Sequence, residues 1–354
     1  MTFSKIRANI IFSQQIEKEL QKIVDGFPKG KVFLLTEETP ARLCLPLISN
    51  VIDGYSIQTI KIEGGEANKS VRSVGKVWEG LSKYGADRKS VLINVGGGML
   101  TDLGGFAAST FKRGMAFVNI PTTLLAQVDA SLGGKTGINF NGLKNEIGVF
   151  NEPDTVIIDT EFLRTIDKNN FLSGYAEMIK HGLIKSPEHL QELLKYDLKG
   201  RDLSVLQKMI AHSVAIKEWH VQNDPTEKNI RKALNFGHTA GHAFESYALH
   251  QRRPILHGFA VVYGMIVELY LSAKMCGLDR KDFEETNQWL LMNYGKFEIV
   301  REDYEALYEL MTHDKKNEEN RINFTLLSKP GNAEINRNCH KSLILEALDY
   351  YRGL

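Results

Sequence analysis

The chain has 354 residues, 43% hydrophobic and 25% charged, with 44 basic side chains against 43 acidic ones and a formal net charge of +1. That composition is globular and long enough for two domains, and the near-zero charge excludes the positive field that would hold a nucleic acid or an anionic membrane. Cys44, Cys276 and Cys339 lie far apart with no CxxC pair, which excludes a disulfide framework or thiolate zinc cluster and fits a reducing cytoplasm.

The amino terminus carries only a short apolar patch around Ile10 and Ile11, so no signal peptide is expected, and nowhere do about 18 apolar residues run together. From there to about residue 160, short apolar runs alternate with helical patterns: Val32–Leu35, Ile57–Ile62, Val91–Val95, Phe117–Ile120 and Val156–Ile158. Continuous apolar strands are buried on both faces, which predicts a doubly wound, Rossmann-like α/β domain over 1–165. Beyond it, 173–184, 203–221, 235–249 and 258–275 repeat apolar residues every three or four positions. A mostly α-helical domain is expected over 166–354, with a small β excursion near 321–327.

The Val91–Val95 strand runs into Gly96, Gly97 and Gly98 ahead of a helical pattern. Two readings fit: a tight strand-to-helix turn, or a turn whose open backbone N–H groups meet the phosphates of a dinucleotide, although the pattern is not GxGxxG. At the next strand end, Thr122 and Thr123 offer hydroxyls to a cofactor; equally, Thr123 can cap a helix beginning at Leu124. Ser131–Gly137 lacks the GxxxxGK[ST] spacing of a P-loop and follows a helical stretch, so a nucleoside-triphosphate cradle is not expected. Lys135, with Lys144 and Asn145 soon after, makes either a solvated loop or a site for a small phosphate or carboxylate.

His238 and His242 lie four apart on one helix face, with Gly237 and Gly241 forming a small stripe that permits close helix approach. Such a pair is either incidental or part of a divalent-metal site, and Thr239 in place of glutamate excludes HExxH. His257, heading a helix after Pro254, and Glu177, sharing a face with Lys180, can add ligands. Three protein ligands plus an open position is the pattern of a catalytic zinc ion. Taken singly, Glu177 also reads as a surface carboxylate and His257 as a helix cap or core histidine. Lys217, Arg231, Lys315 and Lys316 can each line an anionic pocket, but their spacing gives no preference.

In order, GGGMLTDLGGFAASTFKRG (96–114), IPTTLLAQVDASLGGKTGIN (120–139), KNEIGVF (144–150), GYAEMIKHG (174–182) and LNFGHTAGHAFE (234–245) resemble the 3-dehydroquinate synthase family. The resemblance runs from the loop Gly64–Lys69 to about Asn317. It implies an NAD-binding amino-terminal domain, a helical domain carrying zinc or cobalt, and substrate in the cleft between them. Metal ligands fall on Glu177, His238 and His257. NAD contacts fall on Glu66, Lys69, Gly97, Gly98, Asp102, Thr122, Thr123 and Thr165, with Lys135 and Lys144 beside them. Substrate contacts fall on Asp129, Lys135, Asn145, Lys180, Lys217, Arg231, Asn235 and His242, with either Lys315 or Lys316 facing inward. Arg113, unremarkable by itself, is expected to reach the neighbouring site of a homodimer.

The implied reaction converts 3-deoxy-D-arabino-heptulosonate 7-phosphate to 3-dehydroquinate and phosphate in the shikimate route. It runs through transient oxidation by NAD, β-elimination of phosphate, re-reduction, ring opening and intramolecular aldol closure, with His242 the candidate for proton handling. The alternatives are another sugar phosphate cyclase or a metal- and NAD-dependent polyol dehydrogenase. Two positions depart from the family pattern: Asn229 stands where glycine is usual, and His181 where an aromatic is common.

Overall fold

The computed structural model describes residues 8–141, 143–312 and 322–354, so Lys315 and Lys316 lie outside the described residues. Its contacts divide the chain into two compact units, Met1–Asp167 with Asp202–Lys208, and Lys168–Arg201 with Met209–Leu354.

The first unit runs β1 (Asn9–Ser13), α1 (Ile16–Asp25), β2 (Val32–Glu37), α2 (Glu38–Leu43), α3 (Ser49–Gly54), β3 (Gln58–Ile62), α4 (Val71–Lys83), β4 (Val91–Gly96), α5 (Gly98–Thr110), β5 (Ala116–Pro121), β6 (Lys135–Phe140), β7 (Leu143–Phe150) and β8 (Thr155–Asp159). Six strands form one sheet in the order β1-β8-β5-β4-β2-β3, with every neighbouring pair parallel. Side chains alternate across it: Phe33, Leu35 and Leu92 pack with Val74 and Val77 of α4 and Leu103 of α5, whereas Leu34 and Ile93 pack with Leu20 and Val24 of α1 and Val51 of α3. Helices on both faces explain why the four central strands read as unbroken apolar runs. The edge strands β1 and β3 are only partly covered.

Two features of this unit differ from expectation. The patch around Ile10 and Ile11 is β1, an edge strand in register with β8. The segment from Lys135 is an antiparallel hairpin of β6 and β7 rather than a loop, with Lys135 opposite Phe150.

The second unit contains α6 (Lys168–Lys185), α7 (Pro187–Lys195), most of α8 (Leu203–Asn223), α9 (His238–His250), α10 (His257–Met275), α11 (Arg280–Tyr294), α12 (Tyr304–Thr312), the hairpin β9 (Asn323–Lys329) and β10 (Asn332–Asn338), and α13 (Lys341–Gly353). Asn235 is not in the histidine helix: it ends a short 3-10 turn, and Gly237, left-handed at φ 78°, breaks the chain before α9 starts at His238. The glycine stripe does permit close approach, because a Cβ on Gly241 would lie 2.8 Å from the Ala260 carbonyl of α10. α10 is the one described helix long and apolar enough to cross a membrane, but 72% of its apolar window is buried inside the fold.

α8 also buries His220, whose Nδ1 lies 2.8 Å from the Ile216 carbonyl oxygen. Burial, reinforced by the positive charges of Lys185 and Lys180, lowers its pKa, although the Ile216 contact acts the other way. The unfolded chain, with a histidine pKa of about 6.5, then binds the proton more readily than the fold. Stability is therefore expected to fall as pH drops below about 6.5. His220→Gln should flatten that slope in urea titrations between about pH 8 and 5; an unchanged slope would remove His220 as its source.

Candidate metal centre and glycine turn

In the second unit, three helices each deliver one donor to a common point. Glu177 lies mid-way along α6, fully buried, while His238 and His257 are the first residues of α9 and α10. Their donor atoms all fall within 4.8 Å of one another. Glu177 Oε1 has no hydrogen-bond partner and stands 3.5 Å from His238 Nε2 and 3.6 Å from His257 Nε2.

Local structure aims these groups. The Phe236 carbonyl oxygen lies 3.1 Å from His238 Nδ1 and accepts its N–H, leaving Nε2 as the lone-pair nitrogen. Buried Glu268 of α10 accepts the N–H groups of Gly237 (2.7 Å) and Ala240 (3.1 Å), which caps α9 and fixes where His238 starts. The Gly258 N–H donates to Ser173 Oγ at 3.0 Å, tying the residue after His257 to α6, one turn before Glu177. Glu245 Oε2 lies 3.7 Å from His257 Nδ1, behind the ring.

A carboxylate flanked by two imidazole nitrogens is the donor set of a divalent ion of the zinc class. Burial pushes Glu177 up, but Lys180, with which it forms an ion pair, together with His257 and His181 outweighs that effect and keeps it ionised. Burial works against a charge on His257, yet Glu177 and Glu245 outweigh it and raise the ring to about 10. A metal ion would displace that proton and take over the neutralisation of Glu177.

The second unit also buries cations, of which Lys180 is paired with Glu177. Lys180, Lys217 and Arg231 are 1%, 6% and 2% exposed, a costly arrangement unless anions compensate. Arg231 is fixed through its backbone N–H to Asp224 (3.1 Å) and its guanidinium to the Pro225 carbonyl (2.8 Å). Asn229 has φ −135° and donates its N–H to Asp224. His181 is fully buried. Asn235 donates to Glu227 at 3.0 Å, and His242 sits with its ring centroid 5.3 Å from His238 and 6.0 Å from His257.

In the first unit, Gly97 caps α5 with no side chain to satisfy its N-terminal N–H groups. A Cβ on Gly98 would lie 2.7 Å from Ala130, too close to fit without a shift, and one on Gly97 would lie 3.3 Å from the Thr123 side chain, a tight contact. Thr123 does cap the next turn, accepting the Ala126 N–H at 3.3 Å, while Thr122 is buried beside it. Asp129 belongs to the π-turn Ala126–Ala130. Lys69, 3% exposed, joins the glycine helix to the hairpin: its ammonium pairs with Asp102 at 2.6 Å and donates to Asn145. Asn139 connects the same group to Glu66 at 2.9 Å. Lys135 and Lys144 are exposed on the hairpin, and Thr165 is exposed at the end of the 3-10 turn Thr160–Thr165. Arg113 is exposed in a left-handed run, Lys112 to Gly114.

Three carboxylates escape motif reading. Glu245 and Glu268 act on ligands rather than as ligands, so their only sequence mark is helical spacing. Glu37 ends β2, beside the glycine turn, and takes hydrogen bonds from the backbones of Gly65 and Gly97, while burial raises its pKa. An acidic residue closing a strand next to a glycine turn was the available signal.

Comparison with known proteins extends these observations. Residues 59–173 match the 3-dehydroquinate synthase N-terminal family and residues 174–317 the 3-dehydroquinate synthase C-terminal family. A 3-dehydroquinate synthase of Parabacteroides distasonis is 48% identical over 97% of both chains. Among solved structures, 2-epi-5-epi-valiolone synthase from Streptomyces hygroscopicus subsp. jinggangensis, with NAD+ and Zn2+ bound, superposes with TM-score 0.88 at 22% identity over 100% of this chain and 99% of its own. A 2-deoxy-scyllo-inosose synthase complexed with carbaglucose-6-phosphate, NAD+ and Co2+ gives 0.81 at 24% identity over 96% of each chain. Those two likenesses establish the fold, whereas the specific family follows from the sequence matches along nearly the entire length: the chain belongs to the 3-dehydroquinate synthase family.

Proposed function

We propose that this chain converts 3-deoxy-D-arabino-heptulosonate 7-phosphate to 3-dehydroquinate and inorganic phosphate, a carbon–oxygen lyase reaction of the shikimate pathway. The observation that carries this reading is the convergence of Glu177, His238 and His257 within 4.8 Å, with the buried Lys180 paired to Glu177. Zinc or cobalt at these three donors supplies Lewis-acid polarisation of a substrate hydroxyl, and NAD supplies a reversible acceptor of hydride.

The protein's own residues then bind, orient and neutralise. Gly97 and Gly98 give the cofactor phosphates close access to the α5 N-terminus, and Glu37 is placed to accept from a ribose hydroxyl. Lys69 and Asp102 hold the helix and hairpin in one arrangement, with Glu66, Thr122, Thr123, Lys144 and Thr165 completing the cofactor side. Lys180, Lys217 and Arg231 are desolvated cations whose charge is worth most against an anionic substrate in a site short of water. Asn235, Asn145, Asp129 and Lys135 orient that substrate, and His242 moves protons beside the metal ligands.

The chain works as a homodimer in the cytoplasm, with Arg113 entering the partner's site. In support, every described residue of β7 is exposed, including Leu143, Ile147, Val149 and Phe150, the last at 68%. Such an apolar strand calls for a cover.

The purified protein, supplied with the heptulosonate phosphate, NAD and zinc, is expected to release one phosphate per 3-dehydroquinate formed with no net NADH. Steady NADH accumulation from a simple alcohol, without phosphate release, would instead establish a polyol dehydrogenase.

A further inference from the structure

A second cluster of metal-ligating side chains lies in the same unit, on α7 and α8, and plays no part in the reaction above. His189 and Glu192 sit three residues apart on α7, and His212 lies on α8. One donor atom from each falls within 4.8 Å of the others. The two imidazole rings approach to 4.2 Å between centroids, and His189 Nδ1 is 3.7 Å from Glu192 Oε2.

His189 is built as a ligand is built. It is fully buried, and its Nε2 lies 2.8 Å from Ser213 Oγ, the residue after His212. The other ring nitrogen, Nδ1, is buried and has no hydrogen-bond partner. A buried polar atom left unsatisfied costs free energy, and an ion shared with the Glu192 carboxylate 3.7 Å away would satisfy it.

We infer that His189, Glu192 and His212 form a second divalent-metal site that clamps α7 to α8. Two imidazoles and one carboxylate favour zinc, or cobalt as its spectroscopic substitute, over magnesium or calcium. Ligand atoms on a tetrahedral zinc ion stand about 3.4 Å apart, given bonds of about 2.0–2.1 Å, so the His189–Glu192 separation is already close to that value. The carboxylate is exposed and the His212 ring half-buried, so both can adjust around the fixed His189. Water would complete the shell on the exposed side, and an ion held by ligands from both helices would act as a clamp between α7 and α8.

Cobalt titration of the metal-stripped full-length protein tests it, counting ions per chain by equilibrium dialysis. Wild type should bind one ion more than either Glu192→Gln or His212→Ala, and both variants should keep wild-type turnover once zinc is restored. Zinc should also raise the Tm of His257→Ala, which retains the second cluster, and should fail to raise that of the double variant His257→Ala/His212→Ala. Equal ion counts in wild type and both variants would overturn the site, as would an unchanged zinc response in the double variant. Neither readout depends on what the enzyme catalyses.

Discussion

His257→Ala is expected to lower kcat by at least about a thousand-fold while NAD affinity stays within about two-fold of wild type, the first figure being the size of losing a Lewis acid. The substitution removes one of three donors and leaves Glu177 and His238 facing a gap, which is too few ligands to hold a catalytic ion. Lys180 remains paired with Glu177, although His257 no longer helps to hold the charge on that carboxylate. The glycine turn and Lys69–Asp102 pair belong to the other unit, so the cofactor side keeps its own support. Phosphate release measures the first quantity and calorimetric NAD titration the second. A parallel loss of NAD affinity would contradict the division of labour between the units.

Gly258→Ala should cost about 3 kcal/mol of stability and weaken metal binding as well. A Cβ at Gly258 would collide with the Ser173 carbonyl and lie 2.5 Å from the Ser173 Cα, so backbone rather than a flexible side chain must give way. That contact positions His257 against α6, and any shift of α10 separates its ring from Glu177. The contrast is Gly75→Ala in α4, where a Cβ meets nothing within 4 Å. There the added methyl should stabilise by about 0.5–1 kcal/mol through helix propensity. Urea unfolding of the two variants, together with zinc titration, separates a local clash from a general glycine effect. Equal stability changes would mean that the α10–α6 approach is looser than it looks.

Much of this organisation is legible in the sequence because burial leaves a pattern. The central strands carry apolar residues at every position, since helices cover both faces, and the helical repeat of 258–275 announces α10. Edge elements leave a weaker pattern: β1 mixes Asn9 and Ser13 with its apolar residues, and β7 is exposed along its length, so neither has a continuous buried run to read. The two glycines before Lys135 suggest a loop, yet they precede a strand, with Gly133 and Gly134 turning the chain at φ 83° and 68°.

The metal ligands were legible as residue types and spacing, but not the groups that hold them. Glu268 acts from α10 on the backbone of α9, and Glu245 stands behind His257; neither relationship exists in one dimension. Helix periodicity also carried Asn235 into α9, where the left-handed Gly237 in fact ends the preceding turn. The resemblance places Lys69 at the cofactor and Asn145 at the substrate, and the fold joins the two through one ammonium group.

X-ray absorption at the zinc edge tests the central claim most directly, on a His212→Ala background that leaves a single ion per chain. The account predicts a first shell with two imidazole nitrogens and one carboxylate oxygen at about 2.0–2.2 Å, losing one imidazole in the His257→Ala variant if any ion remains. A first shell unaffected by removing Glu177, His238 or His257 in turn would place the ion elsewhere and leave the proposed chemistry without its centre.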